Sequence, residues 1–164
     1  MKKTISALLL ATVATAGNTD AFRLRHSVNQ TIPSGPYSPV IFDTEERDDN
    51  DLHDVAISLS KITIQNKRYD GWYSLEAGVC YMSNLAGDRS LRLVKNTTVN
   101  LAEQVTNASV VVGALTCLTV STEVELVEGD FVEVWTRQSS GGPLDILVTG
   151  GAQLPAFWGH QVGK

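Results

Sequence analysis

From residue 21 onward, no stretch of this chain repeats its apolar residues at helical spacing; they return at every second position instead. In GWYSLEAGVCYM (71–82), Tyr73, Leu75, Ala77, Val79 and Tyr81 fall on one face, and Trp72, Ser74, Glu76, Gly78, Cys80 and Met82 on the other. Phe22, Leu24, His26 and Val28 alternate in the same way with Arg23, Arg25, Ser27 and Asn29. Shorter β-rich runs come at Val40-Ile41-Phe42, Ile62-Thr63-Ile64, around Leu91 and Leu93, and in DFVEVWTRQ (130–138), PLDILV (143–148) and LPAFWGHQV (154–162). Turn formers separate them, among them PSGPYSP (33–39) and Tyr69-Asp70-Gly71. The stretch SVVVGALTCLTVST (109–122) is apolar on both faces, the pattern of a strand covered on both sides. In a two-layer sandwich the second cover is most simply another subunit. Eight to ten short strands with no helices between them predict an antiparallel sandwich or jelly roll.

Several function classes are excluded by the totals. The chain has 164 residues, enough for one domain with its own core, and 43% hydrophobic residues, too many for general disorder. No run approaches the ~18 apolar residues of a membrane-spanning helix, so no membrane partner is expected. Net charge is −5, unevenly spread: residues 1–26 hold four basic residues against one acidic, and the remainder nine against seventeen. An acidic body lacks the basic face that nucleic acid requires. Cys80 and Cys117 form no zinc-type spacing and sit in apolar runs. They read as two small buried thiols, with a disulfide expected only if the chain is exported.

The first residues, MKKTISALLLATVATAG, have the charged start, apolar middle and Ala14-Thr15-Ala16 site of a secretory leader. A second reading of the same residues depends on the kind of domain they precede.

Four segments, in order, resemble the tumour necrosis factor and complement globular-head family. Val40-Ile41-Phe42-Asp43-Thr44 is similar to its early V-x-F-[ND] strand, and Gly71-Trp72-Tyr73 to its G-x-Y strand start. Leu126 to Val134 is similar to its L-x-x-G-D-x-V-x-L turn and strand, and Phe157-x-Gly159 to its closing F-x-G. The resemblance covers about residues 22–164. It implies a ten-stranded jelly roll that assembles as a homotrimer. Phage and prophage versions resemble this chain further in the acidic loop ending His53-Asp54 and in SGGPLDIL (140–147). No collagen-like stalk precedes the domain. The N-terminal segment resembles instead the K-I-S-x-L-P-A-A-T-x-x-x-G-T-D start of phage fibre and decoration proteins. Lys3-Thr4-Ile5-Ser6-Ala7-Leu8, then Ala11-Thr12, then Gly17-Asn18-Thr19-Asp20 keep its order; Leu9 stands where the proline is expected.

Candidate chemistry is sparse. The acidic loop DTEERDDNDLHD (43–54) offers oxygen ligands of the kind calcium takes, with Asp49, Asp51 and Asp54 as metal candidates, but lacks the order of a calcium loop. No serine sits in a nucleophile elbow, and neither cysteine is matched with a histidine locally. The chain therefore reads as a non-enzyme that needs no cofactor. Trp72, Trp135 and Trp158 are candidates for stacking on sugar rings, with packing in the core or a trimer interface as the plainer role.

The resulting expectation is an all-β antiparallel jelly-roll sandwich, homotrimeric, with an extended N-terminal arm. Residues 1–20 form the docking arm and 21–164 the jelly roll. Ile5, Leu8, Leu9, Leu10 and Val13 dock on the virion; Trp72, Tyr73, Tyr81, Val112, Leu118, Trp135 and Phe157 serve the trimer interface or core. The expected function is that of a phage virion structural protein, a capsid decoration or short head fibre, assembled in the host cytoplasm. Its partners are two further copies of itself and other virion proteins of capsid or tail, with a host glycan as a further ligand. Two alternatives stand beside it: a tail-associated receptor- or carbohydrate-binding protein, and an exported bacterial lectin or adhesin whose leader is cleaved.

Overall fold

Alternation along the chain becomes two facing sheets. The computed structural model describes residues 21–148 and 155–164; the docking-arm residues Ile5, Leu8, Leu9, Leu10 and Val13 lie outside them. The described strands are β1 (Ala21–Arg25), β2 (Gln30–Ile32), β3 (Ser38–Pro39), β4 (Thr44–Asp48), β5 (Lys61–Thr63), β6 (Gly71–Tyr81), β7 (Asp88–Lys95), β8 (Val99–Asn107), β9 (Thr116–Leu126), β10 (Phe131–Gln138), β11 (Leu144–Ile146) and β12 (Ala156–Gly163). A 3-10 turn at Lys67–Tyr69 is the one helical piece among the described residues.

One sheet runs β2-β11-β6-β12-β1-β4, with β9 on the other edge of β6; the second runs β3-β10-β7-β8, with β5 also on β10. Neighbouring strands pair antiparallel. This is an all-β antiparallel jelly-roll sandwich, as the alternation predicts.

Period two decides what is buried. Tyr73, Leu75, Ala77, Val79 and Tyr81 of β6 all point between the sheets and are buried. Leu118 and Val120 of β9, Val132 and Val134 of β10, and Leu91 and Leu93 of β7 meet them there. Fully burying each such side chain contributes about 1.5–3 kcal/mol. Phe157 anchors one end of the core, edge-to-face with Phe22 at 4.9 Å and tilted against Phe42 at 5.9 Å.

Two family-like glycines owe their identity to close approach. A Cβ on Gly159 would lie 2.7 Å from Leu75 Cδ2, 2.8 Å from Ser74 O and 2.9 Å from Phe22 Cε1. On Gly71 it would strike Gln161 Nε2 and Gly163 O. The Gly129-Asp130 pair makes a locked turn. Gly129 takes φ +91°, and the Asp130 carboxylate accepts from Val127 N at 3.0 Å and Asn96 Nδ2 at 2.8 Å while pairing with Lys95 Nζ at 2.7 Å.

Three expectations change. Residues 109–115 are a loop, not the start of a doubly buried strand; Val110, Val111 and Val112 are 87%, 61% and 83% exposed. Valine-rich sequence favours a strand, but Gly113 at φ +83° turns the chain, and Ser109 N bonds Thr116 Oγ1 at 3.0 Å to close the loop. The strand begins at Thr116, and its outer face carries exposed Cys117, Thr119 and Ser121. Second, Thr44–Asp48 within the acidic loop is strand β4, paired with β1, where Glu46 bridges Arg23 (2.9 Å) and Arg25 across the ladder. Third, the two cysteines are not free thiols. Cys80 and Cys117 face each other across the β6–β9 ladder, Cα–Cα 4.0 Å, and are joined as a disulfide.

β1 starts at a register shared by Ala21, His160 and Ser74, whereas the valine loop leads into Thr116, which pairs with Tyr81.

Candidate functional site

The acidic segment is the first candidate, and the carboxylates of Asp48, Asp49 and Asp54 are committed to the chain itself. Asp48 accepts from Leu52 N at 3.0 Å and His53 N at 2.7 Å, folding the segment back on itself. Asp49 takes both Nε (2.9 Å) and a terminal nitrogen (2.5 Å) of Arg47. Those guanidinium bonds hold the Asp49 carboxyl below the usual carboxylate range. Asp54 accepts from Ala56 N (2.8 Å) and Ile57 N (3.2 Å). Asp51 sits in the left-handed region at φ 53°, and its carbonyl accepts from Gln65. Asp49, Asp51 and Asp54 thus serve three separate local tasks. Among the described residues no three His, Cys, Asp or Glu side chains gather to hold a metal.

The histidines are equally dispersed. The His53 ring lies between Lys61 O (2.8 Å) and Phe42 O (3.0 Å) and ties the acidic segment to β5. His26 is buried, and burial lowers its pKa against the opposing pull of Asp43. His160 is exposed on the outer face of the seven-stranded sheet.

The three tryptophans do not enter the core and do not share one face. Trp72, 47% exposed, and Trp158, with Arg23 5.8 Å from its ring centroid, lie on the outer face of the seven-stranded sheet. Val162, also 47% exposed, neighbours Trp72 there, at the bulge opposite it. Tyr73, Tyr81, Leu118 and Phe157 are core residues, and Val112 is in the exposed loop.

Trp135 lies on the outer face of the five-stranded sheet, in a cluster of aromatic rings and guanidinium groups. The β10–β7 register sets Trp135 opposite Arg92 and Arg137 opposite Ser90. Tyr37, at the exit of the proline-rich turn, lies across these rows. The Arg92 guanidinium carbon is 3.6 Å from the Tyr37 ring centroid and 5.5 Å from that of Trp135; Arg137 is 5.5 Å from Tyr37 on its own side. The Tyr37 hydroxyl donates to Glu103 and contacts Ser90 Oγ at 3.0 Å. Burial, then the bond to Glu103, raises the Tyr37 pKa. Trp135 Nε1 donates to Glu133 at 3.1 Å, and Arg137 pairs with Asp88 at 2.6 Å. Further along β10, Lys61 Nζ stands 4.6 Å over the Phe131 ring. Of this group the sequence singles out Trp135 alone. Tyr37, Arg92 and Arg137 are far apart in the chain, and only the sheet register brings them together.

No family model matches the sequence, and no curated protein matches it either. Solved structures do match in fold. The Eiger TNF structure from S. frugiperda superposes with a TM-score of 0.63 at 13% identity, covering 89% of this chain and 94% of that one. Murine APRIL gives 0.62 at 10% identity, over 87% and 98% of the two chains. The globular domain of the zebrafish complement 1qA protein gives 0.52 at 20% identity, over 88% and 98%. The likeness is one of fold: the described strands form a jelly roll of the tumour necrosis factor and complement globular-head type.

Proposed function

We propose that this chain is a non-catalytic, threefold head on a phage particle, a capsid decoration or short fibre attached through residues 1–20, with 21–164 as the jelly-roll head. The observation that carries the self-association is the outer face of the seven-stranded sheet. Trp72 and Val162 stand half exposed there, with Trp158 on the same face about 13 Å along the strand, an arrangement that a second copy would cover. The jelly-roll fold supports the same reading. The virion assignment rests on the order of N-terminal elements, Lys3 to Leu8, Ala11-Thr12 and Gly17 to Asp20, and on SGGPLDIL (140–147). Dispersed histidines and the engaged carboxylates of Asp48, Asp49 and Asp54 support a binding or structural role over catalysis. The test is to delete residues 2–16 and measure both mass in solution and attachment to particles. The expected result is a soluble trimer that no longer attaches. Full occupancy of particles by the truncated protein removes the docking arm, and a monomer at micromolar concentration removes the trimer.

One observation favours the exported lectin or adhesin. The Cys80–Cys117 bond would persist in an oxidising compartment. Intact mass of the mature protein separates the two readings: a chain starting at Gly17 means a cleaved leader, and a chain retaining Lys2 means a retained segment.

A further inference from the structure

The geometry points to a binding site for acidic, carboxylate-bearing glycans on the outer face of the five-stranded sheet, centred on Arg92, Trp135 and Tyr37. Arg92 is the unusual member. Its guanidinium is held over two aromatic rings, yet among the described residues no carboxylate lies within ion-pair distance of it. Its Nε is shut away from solvent without a hydrogen-bond partner, while the residue as a whole is part-exposed. Its cross-strand partner Glu103 feels the Arg92 charge but hydrogen-bonds neutral donors, namely the Tyr37 hydroxyl, Ser90 Oγ at 2.6 Å and Asn100 Nδ2 at 3.1 Å. A planar fork fixed by stacking, whose facing carboxylate is hydrogen-bonded to other groups, is pre-organised to grip a carboxylate from outside.

The surroundings select the rest of the ligand. Trp135 and Tyr37 are part-exposed rings beside that fork, suited to the apolar face of a sugar. Glu133, bonded to Trp135, and Asp88, bonded to Arg137, offer acceptors for sugar hydroxyls. Phe131 with Lys61 repeats the ring-and-cation arrangement on the same strand, four residues from Trp135 and so about 13 Å away. A chain of sugars with repeated carboxylates matches that repeat. Single-stranded DNA also uses rings and arginines and carries a similar charge per unit, but its sugar-phosphate backbone lacks the free hydroxyls that Glu133 and Asp88 would accept from. This site lies on the sheet opposite the proposed self-association face, so it stands or falls independently of the trimer.

The test uses the full-length protein titrated with oligogalacturonate, with α2,8-linked sialic acid oligomers, with the methyl esters of both, and with a twenty-residue oligothymidylate. Binding of at least one free-acid oligomer is expected, weakened about tenfold or more by esterification and by Arg92→Gln or Trp135→Ala. Ile57→Ser, at a position 81% exposed and elsewhere on the surface, is the control and leaves binding unchanged. Unfolding midpoints confirm that each variant is folded; where Arg92→Gln is not, Arg92→Lys keeps the charge, removes the fork and carries the same expectation. The proposal is overturned if neither free acid binds, if the folded variants or the esters bind as well as their parents, or if the oligothymidylate binds more tightly than both free acids.

Discussion

The hydroxyl of Tyr81 donates to Oγ1 of Thr136 across the core at 2.7 Å, joining the two sheets through a polar bond among apolar side chains. Its direction is set by a second bond: Thr136 donates its own proton to Ser90 O at 2.8 Å, so it receives from Tyr81. The buried Arg89 guanidinium, bonded to the carbonyls of Ala86, Asp88 and Asn84, stands 5.4 Å over the same Tyr81 ring. Burial pushes the Tyr81 phenol up to about 12.

Tyr81→Phe leaves the Thr136 lone pair without its donor and costs about 1 kcal/mol, read from the urea midpoint at pH 7. The pH dependence has a definite sign. The folded pKa lies above the unfolded value near 10, so the contribution is complete below pH 10 and is lost as pH rises towards 12. Wild-type stability should fall over that window, and Tyr81→Phe should fall less steeply. Equal slopes would contradict the assignment.

Asp130 works at the other end of the pH scale. Burial alone would raise its pKa, but the Lys95 ammonium, Asn96 and Val127 N together hold it below the usual value. Its stabilising contribution is present above the unfolded pKa near 4 and disappears as pH falls through the depressed folded value. Asp130→Ala should cost roughly 1.5–3 kcal/mol at neutral pH, with a smaller difference from wild type in strong acid. Chemical denaturation at pH 7 and pH 2 measures both.

Gly159→Ala adds one methyl group where Leu75, Ser74 and Phe22 already close the space. Overpacking of this kind costs about 1–3 kcal/mol. Gly113→Ala meets no neighbouring atom within 4 Å but must hold φ +83°, so its cost is backbone strain without crowding. Thermal unfolding of a Leu75→Ala/Gly159→Ala pair separates the two causes. Coupling should recover part of the Gly159 penalty, and strict additivity would argue against crowding.

The Cys80–Cys117 bond closes a segment of sequence separation 37. Reducing it, or replacing both cysteines with alanine, should lower stability by about 2–4 kcal/mol. Thiol titration of the denatured, unreduced protein should find no free thiol, and a reductant should shift the urea midpoint downward. Two titratable thiols would restore the reading of free cysteines.

Strand class and core were legible because alternation is local. Tyr73, Leu75 and Tyr81 on one face of a single run already define which side is buried. The Gly129-Asp130 turn was legible as a motif, although its lock by Lys95 and Asn96 needed the β7–β10 neighbourhood. Register was not legible, and both chief surprises depend on it. Cys80 meets Cys117 only because β6 and β9 pair at that offset, and Arg92 meets Trp135 only because β7 and β10 do. The valine loop misled for another reason: β-branched residues favour strands in general, and a glycine turn overruled them at this position.

The register of β6 also gives the molecule a direction. Ala21, where the described chain begins, is level with Ser74, and the exposed valines enter the sheet level with Tyr81. Seven residue steps lie between, about 23 Å along the strand. The start of β1 and the exposed valine loop therefore lie well apart along the sandwich. The two places mark different levels of one continuous ladder, β6 with β9, which the disulfide fastens near its valine-loop end.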